Sequence, residues 1–176
     1  MVLQFRNVHL RCYNADAMQQ NTPEFLVAVV RALEAAHIKT WLFGGWAEEL
    51  SGLRPPGPHR DIDLLYPSAT FTRLDTFLQT NEGAEEIKAK RFAHKRALRW
   101  DGVLVEIFLL CPEAGGYVTH FFGFHRFPWP EDTLLESVPL LGERIASASP
   151  SALTLYRQEH GAVAEAYQLY MSRTQQ

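Results

Sequence analysis

The sequence predicts an α/β chain: a mixed β-sheet with helices mainly on one face and further helices at the C-terminus. Three observations predict it. Short apolar runs of strand character recur, among them Trp41-Leu42-Phe43 and Val103 to Leu110. Stretches with apolar residues three and four apart stand between and around them. Asp101-Gly102, set between two of the strand-like runs, is a strong hairpin turn signal. With 176 residues, 47% of them hydrophobic, the chain suffices for one domain with a substantial core and is not a disordered polymer.

Residues 1–21 read as an N-terminal extension. Val2, Phe5, Val8 and Leu10 suit a short strand, and Asn14 to Asn21 a loop. The main domain spans 22–148. Thr22-Pro23-Glu24 opens a helix to about His37, with an N-cap, a first-turn proline and an early acid. Trp41 to Phe43 is a strand stub, and a short helix follows over Trp46 to Leu53. Asp61 to Tyr66 is a strand. Ser68 caps a helix carrying Phe71, Leu74, Phe77 and Leu78. Glu86 to Phe92, Lys95 to Trp100 and Val103 to Leu110 read as strands, and 112–130 as an aromatic hairpin around Gly123. Gly142 to Ala146 is the last strand. Over 149–176 two helices are expected, Ser151 to about Glu159 and Ala162 to Met171, interrupted at Gly161.

Charge and cysteine content narrow the function classes. A net charge of −3 without a Lys/Arg stripe argues against a nucleic-acid-binding surface. Cys12 and Cys111 are the only cysteines, which gives no disulfide framework and no zinc site. The first twelve residues lack the apolar core of a signal peptide, and the most apolar run is too short to span a membrane. A soluble cytoplasmic protein is expected.

The chemistry is concentrated in Trp41 to Pro67. Gly44-Gly45 follows the strand stub and offers a backbone that a phosphate can approach closely. In the strand Asp61-Ile62-Asp63-Leu64, alternation puts both carboxylates on one face. Two adjacent carboxylates repel each other, and a hard divalent cation such as Mg²⁺ relieves that repulsion. Glu106 interrupts the apolar run Val103 to Leu110, on the face shared by Leu104 and Phe108. Its placement suggests either an edge-strand charge paired with a base such as Arg99, or a third site carboxylate.

Gly44-Gly45-Trp46-Ala47, Glu49, His59 and Asp61-Ile62-Asp63, at this spacing, resemble the nucleotidyltransferases of the DNA polymerase β superfamily. The similarity is greatest to the aminoglycoside adenylyltransferases and lincosamide nucleotidyltransferases. The resemblance implies a nucleotidyltransferase fold and Mg²⁺-dependent transfer of a nucleoside monophosphate, AMP from ATP, to a hydroxyl of a small acceptor. It implies catalytic and metal-binding roles for Asp61, Asp63 and Glu106, with two Mg²⁺ ions when nucleotide is bound. It implies nucleotide contacts from Gly44, Gly45, Trp46, His59 and, on a C-terminal helix, Arg157. Glu49 stands where the antibiotic-modifying enzymes usually have Asp and is expected to brace the loop. Pro55-Pro56-Gly57-Pro58 occupies a loop where relatives often carry a basic residue, which bears on the acceptor. Two other readings compete: a minimal enzyme of toxin–antitoxin type that modifies protein or RNA, and a nucleotide-binding module without catalysis. Three retained carboxylates argue against the last.

Overall fold

The computed structural model describes residues 21–174. The strand and most of the loop expected before Asn21 lie outside the described residues.

Helix α1 (Pro23–Ala35) starts where the sequence says it should: the Thr22 hydroxyl accepts a hydrogen bond from the Phe25 N–H, and a proline fills the first turn. Strand β1 (Trp41–Phe43) runs directly into the short helix α2 (Gly44–Leu50). Next come β2 (Asp61–Pro67), α3 (Thr72–Thr80), β3 (Ala84–Glu86) and a 3₁₀ turn, Lys88–Lys90. Strands β4 (Lys95–Trp100) and β5 (Val103–Glu113) form the hairpin at Asp101-Gly102. The aromatic hairpin is β6 (Gly116–Phe121) and β7 (His125–Pro128). Strands β8 (Glu136–Leu140) and β9 (Glu143–Ser147) precede the long helix α4 (Pro150–Thr174).

The main sheet has the order β3-β4-β5-β2-β1-β9-β8, and β6-β7 extends from the far end of β5. It is mixed: β2 pairs in parallel with β5 and antiparallel with β1. Ile62 and Leu64 point to one face and are fully buried, as are Val105 and Ile107 beside them. Helix α3 covers that face. Phe77 lies against Trp100, and the Arg96 guanidinium on β4 pairs with Asp75 at 2.7 Å. Asp61, Asp63 and Glu106 emerge on the opposite face. There α4 lies across an aromatic cluster, with Tyr156 in edge contact with Phe43 at 4.8 Å and stacked on Trp129. Among the described residues no helix is long and apolar enough to cross a membrane.

Three expectations change, and one strand, β8, is added to those expected. Glu86 to Phe92 is not one strand: pairing ends at Glu86, and a 3₁₀ turn follows. Ser68 does not cap α3; its hydroxyl closes a local turn with Thr70. β8 contains Pro139, whose missing N–H hides the strand in the sequence, yet an edge position tolerates it. The C-terminal segment is one helix, because Gly161 keeps an ordinary negative φ and the ladder continues through it.

A Cβ added at Gly161 meets nothing within 4 Å. Gly161→Ala should therefore raise stability by about 0.5–1 kcal/mol, the helical cost of glycine relative to alanine, measured by urea unfolding. A loss of stability would mean that the helix is broken at this position.

Candidate active site

The site forms where β1, β2 and β5 lie side by side. Phe43 pairs with Asp63, and Asp63 with Glu106. The register thus lines up three things across the sheet: the end of the strand that enters Gly44-Gly45, the second aspartate, and the glutamate. Asp61 lies two residues before Asp63, on the same face.

Gly44 has φ +60°, and a Cβ there would overlap the Asp63 carboxylate. Both the backbone conformation and the space therefore demand glycine. The turn presses on Asp63 and brings the α2 backbone against the carboxylate strand. Gly45 faces the other way. A Cβ on it would stand 3.0 Å from the Arg54 guanidinium and 3.1 Å from the His59 ring. Arg54 is thus a basic group beside the glycine turn, five residues before His59, and the sequence reading overlooked it.

Around the turn is a brace. Trp46 is buried, and its ring stacks on His59 with centroids 3.9 Å apart. His59 Nε2 lies 2.9 Å from Glu49 Oε2, and the same carboxylate oxygen accepts the Gly57 N–H at 2.9 Å. Burial would raise the Glu49 pKa, but the Gly57 N–H and the His59 ring outweigh it and lower it. Glu49 braces the Pro-rich loop as expected. Trp46 and His59 are turned into this brace. Asn21 completes it from the chain before α1. Its amide donates to the Asp61 carbonyl at 2.8 Å, and its oxygen accepts the Trp46 indole N–H at 3.2 Å. Arg157 reaches α2 but is held by Glu48 at 2.7 Å.

The electrostatics centre on the three acids. Withdrawal from water, then the charges of Asp61 and Glu106, push the Asp63 carboxyl well above its usual range. Asp61 is raised by withdrawal from water and by Glu106. Tyr156, buried on α4, is raised by its burial and by the charges of Asp63 and Glu106, which places the phenol within their field. Glu106 has partners that the sequence did not suggest. Lys95 Nζ lies 3.2 Å from both of its carboxylate oxygens, and Lys90 Nζ lies 3.1 Å from one. Among the described residues no three His, Cys, Asp or Glu side chains converge closely enough to hold a metal ion. The expected convergence of all three acids on a single cation is therefore replaced by an Asp61/Asp63 pair beside a lysine-bound Glu106. The pair suits a divalent cation: its oxygens are hard donors, and the burial and neighbouring carboxylate charge that raise both carboxyls are costs a cation would offset.

A mixed sheet with paired aspartates beside a Gly-Gly turn defines the nucleotidyltransferase fold, and solved structures agree. The lincosamide adenylyltransferase LnuA, bound to lincomycin, is 15% identical with a TM-score of 0.65, over 85% of this chain and 98% of its own. ANT(2'')-Ia, in complex with adenylyl-2''-tobramycin, is 15% identical with a TM-score of 0.59, over 86% of this chain and 88% of its own. A nucleotidyltransferase-assigned protein of Thermotoga maritima is 18% identical with a TM-score of 0.57, over 93% of this chain and all of its own. No curated protein sequence matches this chain. Residues 25–121, more than half of the chain, match the aminoglycoside-2''-adenylyltransferase family, and the chain belongs to that family. It is a nucleotidyltransferase.

The raised carboxyls fix a pH dependence. A carboxyl whose folded pKa is raised stabilises the fold below its ordinary value of about 4, and that contribution is lost as pH rises through the raised value. Asp63→Asn in chelator should therefore gain on the parent as pH rises from 4 to 8. At pH 7 the gain in Tm should be about 2–4 °C for each kcal/mol of repulsion relieved. A variant less stable than the parent at pH 7 would show that Asp63 is not strained.

Proposed function

We propose that this chain transfers AMP from ATP to a hydroxyl of a small antibiotic-like acceptor, with Asp61, Asp63 and Glu106 as the working acids. The observation that carries the proposal is the register Asp63 to Glu106 at the foot of the Gly44 turn. It sets two aspartates and one glutamate on one sheet face, beside a backbone that a phosphate can approach.

The acceptor oxygen attacks the α-phosphorus, the new P–O bond forms, the α–β bridge breaks and pyrophosphate leaves. Glu106 takes the hydroxyl proton on a carboxylate oxygen. Asp61 and Asp63 would hold Mg²⁺, which offsets the triphosphate charge and the charge growing on the pyrophosphate. Gly44 and Gly45 admit the β- and γ-phosphates to the backbone, and Arg54 supplies a positive group at that point. The brace of Trp46, His59, Glu49 and Asn21 fixes the turn, so the cradle is preorganised before nucleotide arrives. Arg157 is near enough to α2 to exchange Glu48 for a phosphate.

The family and the complexes of similar enzymes with adenylyl-tobramycin and lincomycin support an acceptor of the aminoglycoside or lincosamide type. A polycationic acceptor needs free acids. Among those the sequence offers, Glu86 is held by Arg91 at 2.6 Å and Glu113 by Arg126 at 2.7 Å. Neither is free to receive an ammonium group.

An acceptor screen tests the reading. Labelled ATP and Mg²⁺ are offered with aminoglycosides, lincosamides, RNA and cell extract, and products are read by mass. An adenylylated antibiotic is expected; label found only in protein or RNA would overturn the small-molecule acceptor. Two variants separate cradle from chemistry. Gly45→Val forces its side chain into Arg54 and His59 and should weaken nucleotide binding in calorimetry. Glu106→Gln should leave binding largely intact and lower turnover by ~10²-fold or more. Full turnover in Glu106→Gln would remove Glu106 from the chemistry.

A further inference from the structure

Glu106 is bound by ammonium groups, and the two lysines are not equivalent. Lys90 is 45% exposed in its side chain and sits on the 3₁₀ turn, so solvent competes for it. Lys95 is 13% exposed. It projects from β4, where its neighbour in the pairing is Phe108, two residues beyond Glu106. Its Nζ lies 5.7 Å from the centre of the Phe92 ring and 5.5 Å from that of Phe108. The aromatic walls and the strand hold the ammonium group where it is equidistant from both Glu106 oxygens.

That position is the one a chelated cation would take on Glu106. Mg²⁺ binds oxygen at about 2.0–2.1 Å in near-octahedral geometry and accepts little distortion. An ammonium group fixed between the two oxygens fills the chelating position and repels a second positive centre.

We propose that Lys95 is a positioning residue that stands in for the second metal ion of a two-ion site. It holds Glu106 in place, and the enzyme binds one divalent ion per active site, at Asp61 and Asp63. The proposal rests on the nucleotidyl-transfer reading above and predicts a number that this reading alone leaves open. Lys95 is not itself placed on the substrate; it acts through Glu106.

The experiment counts ions and nucleotide separately. The whole chain is dialysed to equilibrium against Mn²⁺ and an ATP analogue with a non-cleavable α–β linkage, and both are counted per chain. Three proteins are compared: the parent, Lys95→Arg, and Lys95→Met, whose apolar stem keeps the contacts with Phe92 and Phe108. Thermal unfolding of each confirms a folded sample. One nucleotide is expected in all three, with one Mn²⁺ in the parent and in Lys95→Arg. Lys95→Met should rise to two, because Glu106 is then free to ligate. Two ions in the parent would overturn the proposal and leave nucleotidyl transfer standing. One ion in Lys95→Met would also overturn it, since Lys95 would then not be what excludes the second ion. Failure to retain any nucleotide would overturn the nucleotidyl-transfer reading itself.

Discussion

Everything in this site depends on mutual repulsion between carboxylates that the sheet forces together. The parallel pairing of β2 with β5 sets Asp63 directly beside Glu106, and the strand alternation sets Asp61 on the same face. Gly44 then closes on Asp63 from the third side, in a backbone conformation and a space that leave no room for a side chain. A backbone hydrogen bond at Asp61 relieves this crowding only in part. The fold answers with two lysines on the Glu106 side and leaves the aspartates raised. In the proposed function a cation and the nucleotide triphosphate would relieve this repulsion together.

The rest of the molecule serves to hold that arrangement still. On the far side of the sheet, Ile62, Leu64, Val105 and Ile107 are fully buried, so β2 and β5 cannot slip in register without exposing them. On the near side, Tyr156 of α4 packs on Phe43 and Trp129, which fixes the strand that feeds Gly44. The Trp46–His59–Glu49 brace fixes the return path from α2 to β2. Asn21 ties that brace to the Asp61 backbone.

Much of this was legible in the sequence because it is local. The two-residue alternation of Asp61 and Asp63, the Gly-Gly turn after an apolar stub, and the Asp101-Gly102 hairpin each need only a few neighbouring residues. Glu106 was legible as an anomaly, a charge in an apolar strand. Its partners were not. Lys90 and Lys95 sit in an ordinary charged stretch, and only the β4–β5 pairing and the 3₁₀ turn bring them to Glu106. Arg54 and Asn21 were hidden because each is one polar residue in a loop: Arg54 takes its meaning from the way the loop folds back on Gly45, and Asn21 from contacts with Trp46 and Asp61, 25 and 40 residues on. Gly161 misled in a different way: local propensity reads it as a break, whereas its φ stays negative and α4 runs through it. Strand β8 went unread because its proline is tolerated only by the edge position that the sheet order gives it.

The central claim is that the Gly44 turn and the Asp61/Asp63 strand together form the metal and nucleotide site. Amide NMR of the isotope-labelled chain, titrated with substoichiometric Mn²⁺ in the presence of a non-cleavable ATP analogue, tests it most directly. Paramagnetic broadening falls steeply with distance from the ion. The account predicts loss of signal centred on Gly44 to Trp46 and Asp61 to Asp63, reaching Glu106 across the strand pair and sparing α3. Broadening centred elsewhere, for example on Glu113 and His120 at the β5–β6 end, with Asp61 and Asp63 unaffected, would contradict it.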